Sequence, residues 1–436
     1  MRPSSMWTRR GFLRLSGSAG TAAAWAASGA DLDAMARATA SIADLTPDEV
    51  ARDERYWKTI RKAFAIDRRL INLNNGNSSP SPIPVHDAFK RHLDSSNLLP
   101  VHYRERLKET LGPLRVQLAD TFGCNADEIA FTRNATEALH AAQCGLTLEQ
   151  GDEVITTDQD YTLMLWAWQQ RAQRDRITLT RVQFPVPTTA GDLVERIERA
   201  ITPRTRVLHF CHVTNTTGQL FPVRELSRLA RSRGIFTIVD GAQAAGHVPF
   251  ALRDLECDAY GTSLHKWLMA PHGTGLLYVR RGSVKRVWPL HAEIDGMAAD
   301  VRKFEEIGTH AVAAWVAIGD ALAFHRSIGA ERKAARLRYL TLRWARALER
   351  IPRVALLSNL EPGQTWGMAS FEIRGVKAQD VVRLLFEKYR IVVAAEVNQG
   401  PLGPVFAHEA IRVTPQVYTS LEDIDIFVSA MRMLLA

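Results

Sequence analysis

From about residue 100 onward, short apolar runs alternate with segments of helical period. "RERLKETLGPLRVQLADTFG" repeats its apolar residues at helical spacing, and "EIAFT" after it has strand character. The alternation continues: helix in "NATEALHAAQCGL", strand in "EVITT", helix in "LMLWAWQQRAQR", strand in "ITLTRVQF". "DLVERIERAI" is again a helix, "RVLHFCHV" a buried strand, "VRELSRLARSRG" a helix closed by Gly234, and "FTIVD" another buried strand. Val/Ile/Phe runs separated by amphipathic helices predict an α/β fold, a mainly parallel sheet wrapped by helices. Ligands of such sheets bind beyond the carboxyl ends of the strands. Residues that carry chemistry should therefore follow strands.

"KFEEIGTHAVAAWVAIGDALAFHRSIG" reads as a loop and then a long helix. Beyond it, "TWGMASFEIRG", "VVRLLFEKYRIVVAAE" and "AIRVTPQVYTSLEDIDIFVSAMRMLL" alternate strand and helix again. The organisation expected is an N-terminal arm and loop over 31–80, a large domain over 81–300, and a linking helix with a smaller α+β domain over 301–436.

The formal net charge of +8 is uneven: the first thirty residues hold Arg2, Arg9, Arg10 and Arg14 and no acid, which leaves +4 for the rest. No dense Lys/Arg run with interleaved aromatics appears, so nucleic acid is not an expected partner. "RELSRLARSR" and "ERKAARLRYLTLRWAR" read as solvated, Arg-rich helix faces. The N-terminus reads as an address. "TRRGFLRLSGSAGTAAAWAASGA" places a twin arginine before Phe12 and Leu13 and a mild Ala/Gly/Ser-rich stretch, which resembles a twin-arginine (Tat) export signal over 1–30. That stretch is too short and too rich in Gly and Ser to be a membrane anchor. The expectation is a periplasmic protein, carried by the Tat machinery. Four cysteines, Cys124, Cys144, Cys211 and Cys257, form no CxxC or Cys/His cluster, so a zinc site is not expected and no disulfide pairing is specified.

Chemistry gathers after the strands. In "DAYGTSLHKWLMAPHGTGLLYVR", Lys266 has apolar neighbours on its carboxyl side. A lone lysine is ordinarily on the surface, but a buried one has a lowered pKa and attacks carbonyls. "TIVDGAQAAGH" ends a buried strand in Asp240, where an unpaired carboxylate is costly. A turn-forming Asp-Gly explains it, and so does a carboxylate facing a pyridinium nitrogen. "FTRNATEALH" opens a helix at Asn134, Ala135 and Thr136, a position that suits a phosphate and equally fits an ordinary helix cap. "HVTNTTGQLFPV" places Asn215, and "TTDQDYTLMLW" places Tyr161, at further strand ends.

"VDGAQAAGH" followed by "DAYGTSLHKWL" resembles the class V group of pyridoxal-phosphate (PLP) enzymes, which takes in aminotransferases, cysteine desulfurases and isopenicillin N epimerase. The likeness runs from "INLNNGNSSPSP" to "IRVTPQVYTSLEDID". It implies a fold-type-I PLP enzyme with Lys266 as the Schiff-base lysine, Asp240 on the pyridine nitrogen and Tyr161 stacked on the ring. It implies Asn215 on the phenolic oxygen and Ala135, Thr136, Gln243 and Ser263 around the phosphate, with His265 beside the cofactor. In related homodimers the neighbouring subunit completes the phosphate cup, and Gly308 and Thr309 match that stretch. Arg412 matches an arginine that binds a substrate carboxylate. Asn75 and Asn77, in "LNNGNSSPSP", match the N-terminal active-site loop of the epimerase-like subgroup.

The substrate implied is a small amino acid or an amino-acid unit of a metabolite. Aminotransfer comes first on sequence alone, because no second acid/base for epimerisation can be named; epimerase or β-lyase comes next. Persulfide transfer is disfavoured, since the last cysteine is Cys257 and Tyr161 takes the ring-stacking place. A non-catalytic PLP-fold binding protein is disfavoured by the intact Lys266, Asp240 and Arg412.

Overall fold

The structure, a computed structural model, describes residues 32–396, 399–400, 403–404 and 408–435. The twin-arginine segment lies outside the described residues. The main sheet has seven strands: β1 (Ile129–Thr132), β2 (Glu153–Thr157), β3 (Thr178–Val182), β4 (Thr205–Cys211), β5 (Phe236–Asp240), β6 (Ala259–Ser263) and β7 (Gly275–Val279). Their order is β1-β7-β6-β5-β4-β2-β3. Neighbours pair parallel from β3 to β6, whereas β7 pairs antiparallel with both β6 and β1.

The period of two along each strand sorts its side chains into two cores. Val239, Tyr260 and Leu276 pack on one face; Ile238, Ala259 and Leu277 pack on the other. β1, β2, β5, β6 and β7 are buried at every residue, as a sheet covered on both faces requires. Helices α1 (Ala135–Gly145) and α2 (Thr162–Asp175) follow β1 and β2.

The long helix predicted after residue 310 is broken. A short helix, Val312–Val316, is followed by α3 (Ile318–Ile328), and Gly329 at φ 92° turns the chain into α4 (Ala330–Glu349). A second sheet, order β10-β11-β9-β8, is wholly antiparallel: β8 (Val354–Leu356), β9 (Ala369–Ile373), β10 (Ala394–Glu396) and β11 (Ala410–Val413). Its core joins Phe371 and Ile411 to Leu340 and Trp344 of α4 and Phe427 of α5 (Leu421–Leu435).

The solvated face expected for "ERKAARLRYLTLRWAR" needs correction. Lys333 and Arg336 of α4 are fully buried. Arg336 donates to the Ala51 and Thr419 carbonyls, pairs with Glu54 and lies 5.3 Å from the Trp57 ring centre. Packing of α4 against Pro47–Arg52 and α5 removes the water that sequence pattern alone assigned to that face.

The N-terminal arm is tied to the end of the chain. Ile71–Asn72 pairs parallel with Ile391–Val392, and Asn74 bridges to Thr414. This lays residues 74–79 between the two sheets. All four cysteines are unpaired. Among the described residues there is no metal-binding cluster and no helix long and apolar enough to cross a membrane.

Candidate active site

β5 ends at Asp240, which is 4% exposed and stands opposite Cys211 of β4 in register. One Asp240 oxygen accepts the Ala242 N–H at 2.9 Å. Burial raises its carboxyl above the usual range, opposed by that N–H and by the Lys266 ammonium. The turn after it requires glycine: a Cβ on Gly241 would stand 2.0 Å from the Tyr260 ring. The "VDG" signal is thus a turn and a buried carboxylate at once.

Lys266 lies three residues beyond the end of β6, on a loop bonded along its length. Leu264 N–H meets Thr274 O at 3.0 Å, Ala270 N–H meets Leu264 O at 3.0 Å, and Ser79 N–H meets His265 O at 3.1 Å. Met269 closes the loop at φ 63°, a left-handed conformation that side chains rarely adopt. Burial pushes the Lys266 ammonium down to about 8, against the pull of Asp240 and with a push from Arg412. Such an amine is partly unprotonated near neutrality, and so nucleophilic. His265 Nδ1 bonds Thr274 O at 3.2 Å, and burial holds the imidazole at about 4, hence neutral.

α1 starts immediately behind this loop. Asn134 caps it, its Oδ1 accepting the Glu137 N–H at 2.8 Å. The Ala135 N–H donates to Ser263 Oγ at 2.9 Å. Gly275 permits that approach, since a Cβ there would lie 2.6 Å from Asn134 Cα. Ala135, Thr136 and Ser263 therefore share one wall with Gln243. The Gln243 amide donates to Gly76 O at 2.9 Å and accepts the Trp267 indole N–H at 2.8 Å, tying the arm to the lysine loop.

The facing wall comes from the second sheet. Arg412 of β11 is 5% exposed; Nη1 donates to Asn215 O at 2.8 Å and Nη2 to Asn74 Oδ1 at 3.2 Å. Glu396, at the end of β10, ion-pairs with Arg412 and lines the same cavity. Burial raises the Glu396 carboxyl, opposed by Arg412 and Lys266. Sequence reading missed this residue, although "VVAAE" closes an apolar run with an acid just as "FTIVD" does. The cavity measures about 290 Å³ and joins Lys266, Asp240, Tyr161, Asn215, Asn77 and Arg412. Tyr161, before α2, is 41% exposed at its edge.

Asn75 does not line the cavity, and neither do Gly308 and Thr309, which the resemblance assigns to a neighbouring subunit's site. Asn75 is fully buried behind it; its amide donates to Thr414 O at 2.9 Å and accepts from the Tyr418 hydroxyl. Gly308 and Thr309 lie elsewhere, with Thr309 Oγ1 accepting from Arg104 Nη1 at 3.3 Å.

The donor set fits pyridoxal phosphate. Asp240 is a buried carboxylate with no ion-pair partner within 4 Å among the described residues, the surroundings that a protonated pyridine nitrogen would complete. Asn215 Oδ1 is buried without a partner. A side-chain amide reverses end for end with little steric change, so that position can also donate to a phenolic oxygen. The start of α1 with the Thr136 and Ser263 hydroxyls suits a phosphate.

Residues 71–427 match the family model for aminotransferase class-V. The chain is 31% identical over 391 residues to isopenicillin N epimerase of Streptomyces clavuligerus, covering 85% of this chain and 96% of that protein. It is 28% identical over 404 residues to probable cysteine desulfurase 2 of Mycobacterium leprae, covering 87% and 95%. A solved structure of a C-DES mutant with glycine covalently linked to its PLP cofactor shares the fold, with a TM-score of 0.76 at 23% identity over 85% of this chain and 98% of that one. Strand order, cavity and match across most of its length agree: the chain belongs to the aminotransferase class-V family.

Proposed function

We propose that this protein is a PLP-dependent enzyme that removes and returns the proton on the α-carbon of an amino-acid substrate, as an epimerase. The observation that carries this reading is Glu396, an acid reaching into the cavity from the second sheet while Lys266 reaches in from the first. Epimerisation needs two groups that exchange protons with one carbon, one for each face. Aminotransfer stood first on sequence alone because the second group had no candidate. The likeness to isopenicillin N epimerases supports the same choice.

When bound, the cofactor supplies an electron sink for the α-carbon. The chain's own residues do the rest. Lys266 holds the cofactor and serves one face as base. Asp240 keeps the ring nitrogen protonated. Arg412 holds the substrate carboxylate, which is bonded directly to the α-carbon. Glu396 touches the same guanidinium, so it stands close to that carbon. Its raised pKa suits a group that must both give and take a proton. The homodimer implied by the resemblance belongs to this proposal, with Gly308 and Thr309 serving a neighbouring site. Periplasmic export belongs to it too, supported by Arg9 and Arg10.

The test is incubation of single enantiomers of candidate amino acids with the holoenzyme in deuterium oxide. The expected result is the opposite enantiomer, deuterated at the α-carbon, without stoichiometric oxo acid. Oxo acid formed in step with amination of an added 2-oxo acid would restore the aminotransferase reading. Borohydride treatment should fix cofactor to Lys266, and an adduct on another lysine would overturn the site.

A further inference from the structure

Behind Lys266 stands a second buried lysine that the chemistry above does not use. Lys333, in the first turn of α4, is fully buried, and its Nζ donates to the Trp267 carbonyl. That carbonyl belongs to the residue directly after Lys266. The Trp267 ring is stacked on His247, with ring centres 3.9 Å apart and planes at 14°, and its indole N–H goes to Gln243. His247 in turn shares Nδ1 with Gln243 O at 2.7 Å and accepts the Gly367 N–H on Nε2 at 2.7 Å. Trp267 is therefore held at its carbonyl, its ring face and its indole edge by three different residues.

An ammonium is a costly way to satisfy one carbonyl. Lys333 forms no ion pair with a carboxylate among the described residues; the His247 and His325 imidazoles are near it, and burial brings its amine down to about 7. Removing the amine relieves a buried, partly charged group but leaves the Trp267 carbonyl without its donor, so the two effects on stability oppose each other. What it touches is the peptide that fixes where the Lys266 side chain starts. The amine donates to that carbonyl in either protonation state, and when protonated its bond is roughly twice as strong as a neutral one.

We propose that Lys333 is a positioning residue: through the Trp267 carbonyl it sets the placement of the Lys266 amine in the cavity. The role rests on Lys266 being the cofactor-bearing lysine. It differs from packing in one respect: stability and function should move apart when Lys333 is changed.

The experiment uses the holoenzyme with Lys333→Met, which keeps the stem and removes the donor. Three quantities are read: thermal midpoint, kcat and KM, and the pH at which the absorbance of the Lys266-bound cofactor changes. The expected result is a thermal midpoint close to wild type, kcat down about tenfold to a hundredfold as for a slightly misplaced reacting group, little change in KM, and a shifted spectral titration. Lys333→Gln, which retains a neutral donor, should recover most of kcat and the wild-type titration; should Lys333→Met fail to fold, Lys333→Gln alone decides, and a titration shifted or a kcat lost there overturns the role. An unmoved titration and kcat in Lys333→Met, or losses of activity and stability in step, also overturn it. A wild-type protein with no Lys266-linked absorbance would overturn the site reading and this role together, whereas a normal wild-type spectrum that Lys333→Met leaves unmoved sinks this role alone.

Discussion

Glu396 Oε1 lies 2.7 Å from Arg412 Nη1. The arginine expected to receive a substrate carboxylate already holds one from its own chain. On the proposed reading Glu396 has two effects there: it competes with a substrate carboxylate for the guanidinium, and it stands as an acid near the α-carbon.

Glu396→Gln separates these two effects. It removes the proton-transfer group but relieves Arg412 of a competing charge. We expect kcat for epimerisation to fall by about 10²–10⁴, with KM unchanged or lower. Steady-state kinetics from both enantiomers would show it; a raised KM at wild-type kcat would make Glu396 a binding residue only.

Arg412→Lys should raise KM for carboxylate substrates about tenfold or more, with amide analogues affected far less. The guanidinium serves Asn215 O, Asn74 Oδ1 and Glu396 from two nitrogens, and an ammonium on a flexible stem cannot hold all three. Equal effects on acids and amides would remove the carboxylate role.

Lys266 gives a pH signature. Its amine must be unprotonated to capture an aldehyde, and burial holds it at about 8. Cofactor loading of the apoprotein should speed up about tenfold per pH unit below 8 and level off above it, followed by absorbance after rapid mixing. The linked stability has a definite sign. The folded pKa lies below the unfolded one, so the unfolded chain binds more protons between about 8 and 10.5, and this lysine's contribution to stability rises with pH across that window. A loading rate still climbing tenfold per unit at pH 10 would mean that the amine is not depressed.

Asp160 titrates in the opposite sense. It is buried beside Asp240 with one oxygen on the Thr157 N–H at 2.7 Å, and burial raises it to about 7 against the pull of that N–H and of the Cys211 side chain. The folded form therefore holds its proton more tightly than the unfolded form, whose pKa is about 4. Stability contributed by this group is full below pH 4 and lost as pH rises to 7. Asp160→Asn should gain thermal stability relative to wild type progressively from pH 4 to 7 and keep a constant advantage above that. A difference that does not vary with pH would show that Asp160 is charged throughout.

Lys266 was legible because apolar residues follow it and its stretch resembles a family motif, and Asp240 because it ends a dense apolar run, where a polar residue has few structural reasons to be. The parallel sheet was legible for the same reason: Ile238 and Val239 are both apolar because both faces of β5 are covered. Glu396 carries a similar signal on a strand of only three residues, outside any recognised motif, so nothing raised it above its surroundings. Lys333 and Arg336 were misread because charge pattern reports what a helix face could tolerate, not what packs against it. α4 meets Pro47–Arg52 and α5, and its Arg336 donates to Ala51, 285 residues away, which no local pattern records. Asn75 lies one layer behind the cavity, its amide held by the Thr414 carbonyl, a contact across more than 330 residues that no local pattern records.

The pairing of Ile71–Asn72 with Ile391–Val392, and of Asn74 with Thr414, sets an order on biosynthesis. The first residues of the site are made early and then wait. Lys266 and Asp240 emerge from the ribosome well before Glu396 and Arg412, and the arm at 74–79 has no partner strand until residues 391–414 have been made. A nascent chain halted before residue 391 would hold the main sheet's contribution and half a cavity. Assembly of the site therefore waits on a meeting between two segments more than 300 residues apart, 71–79 and 391–414.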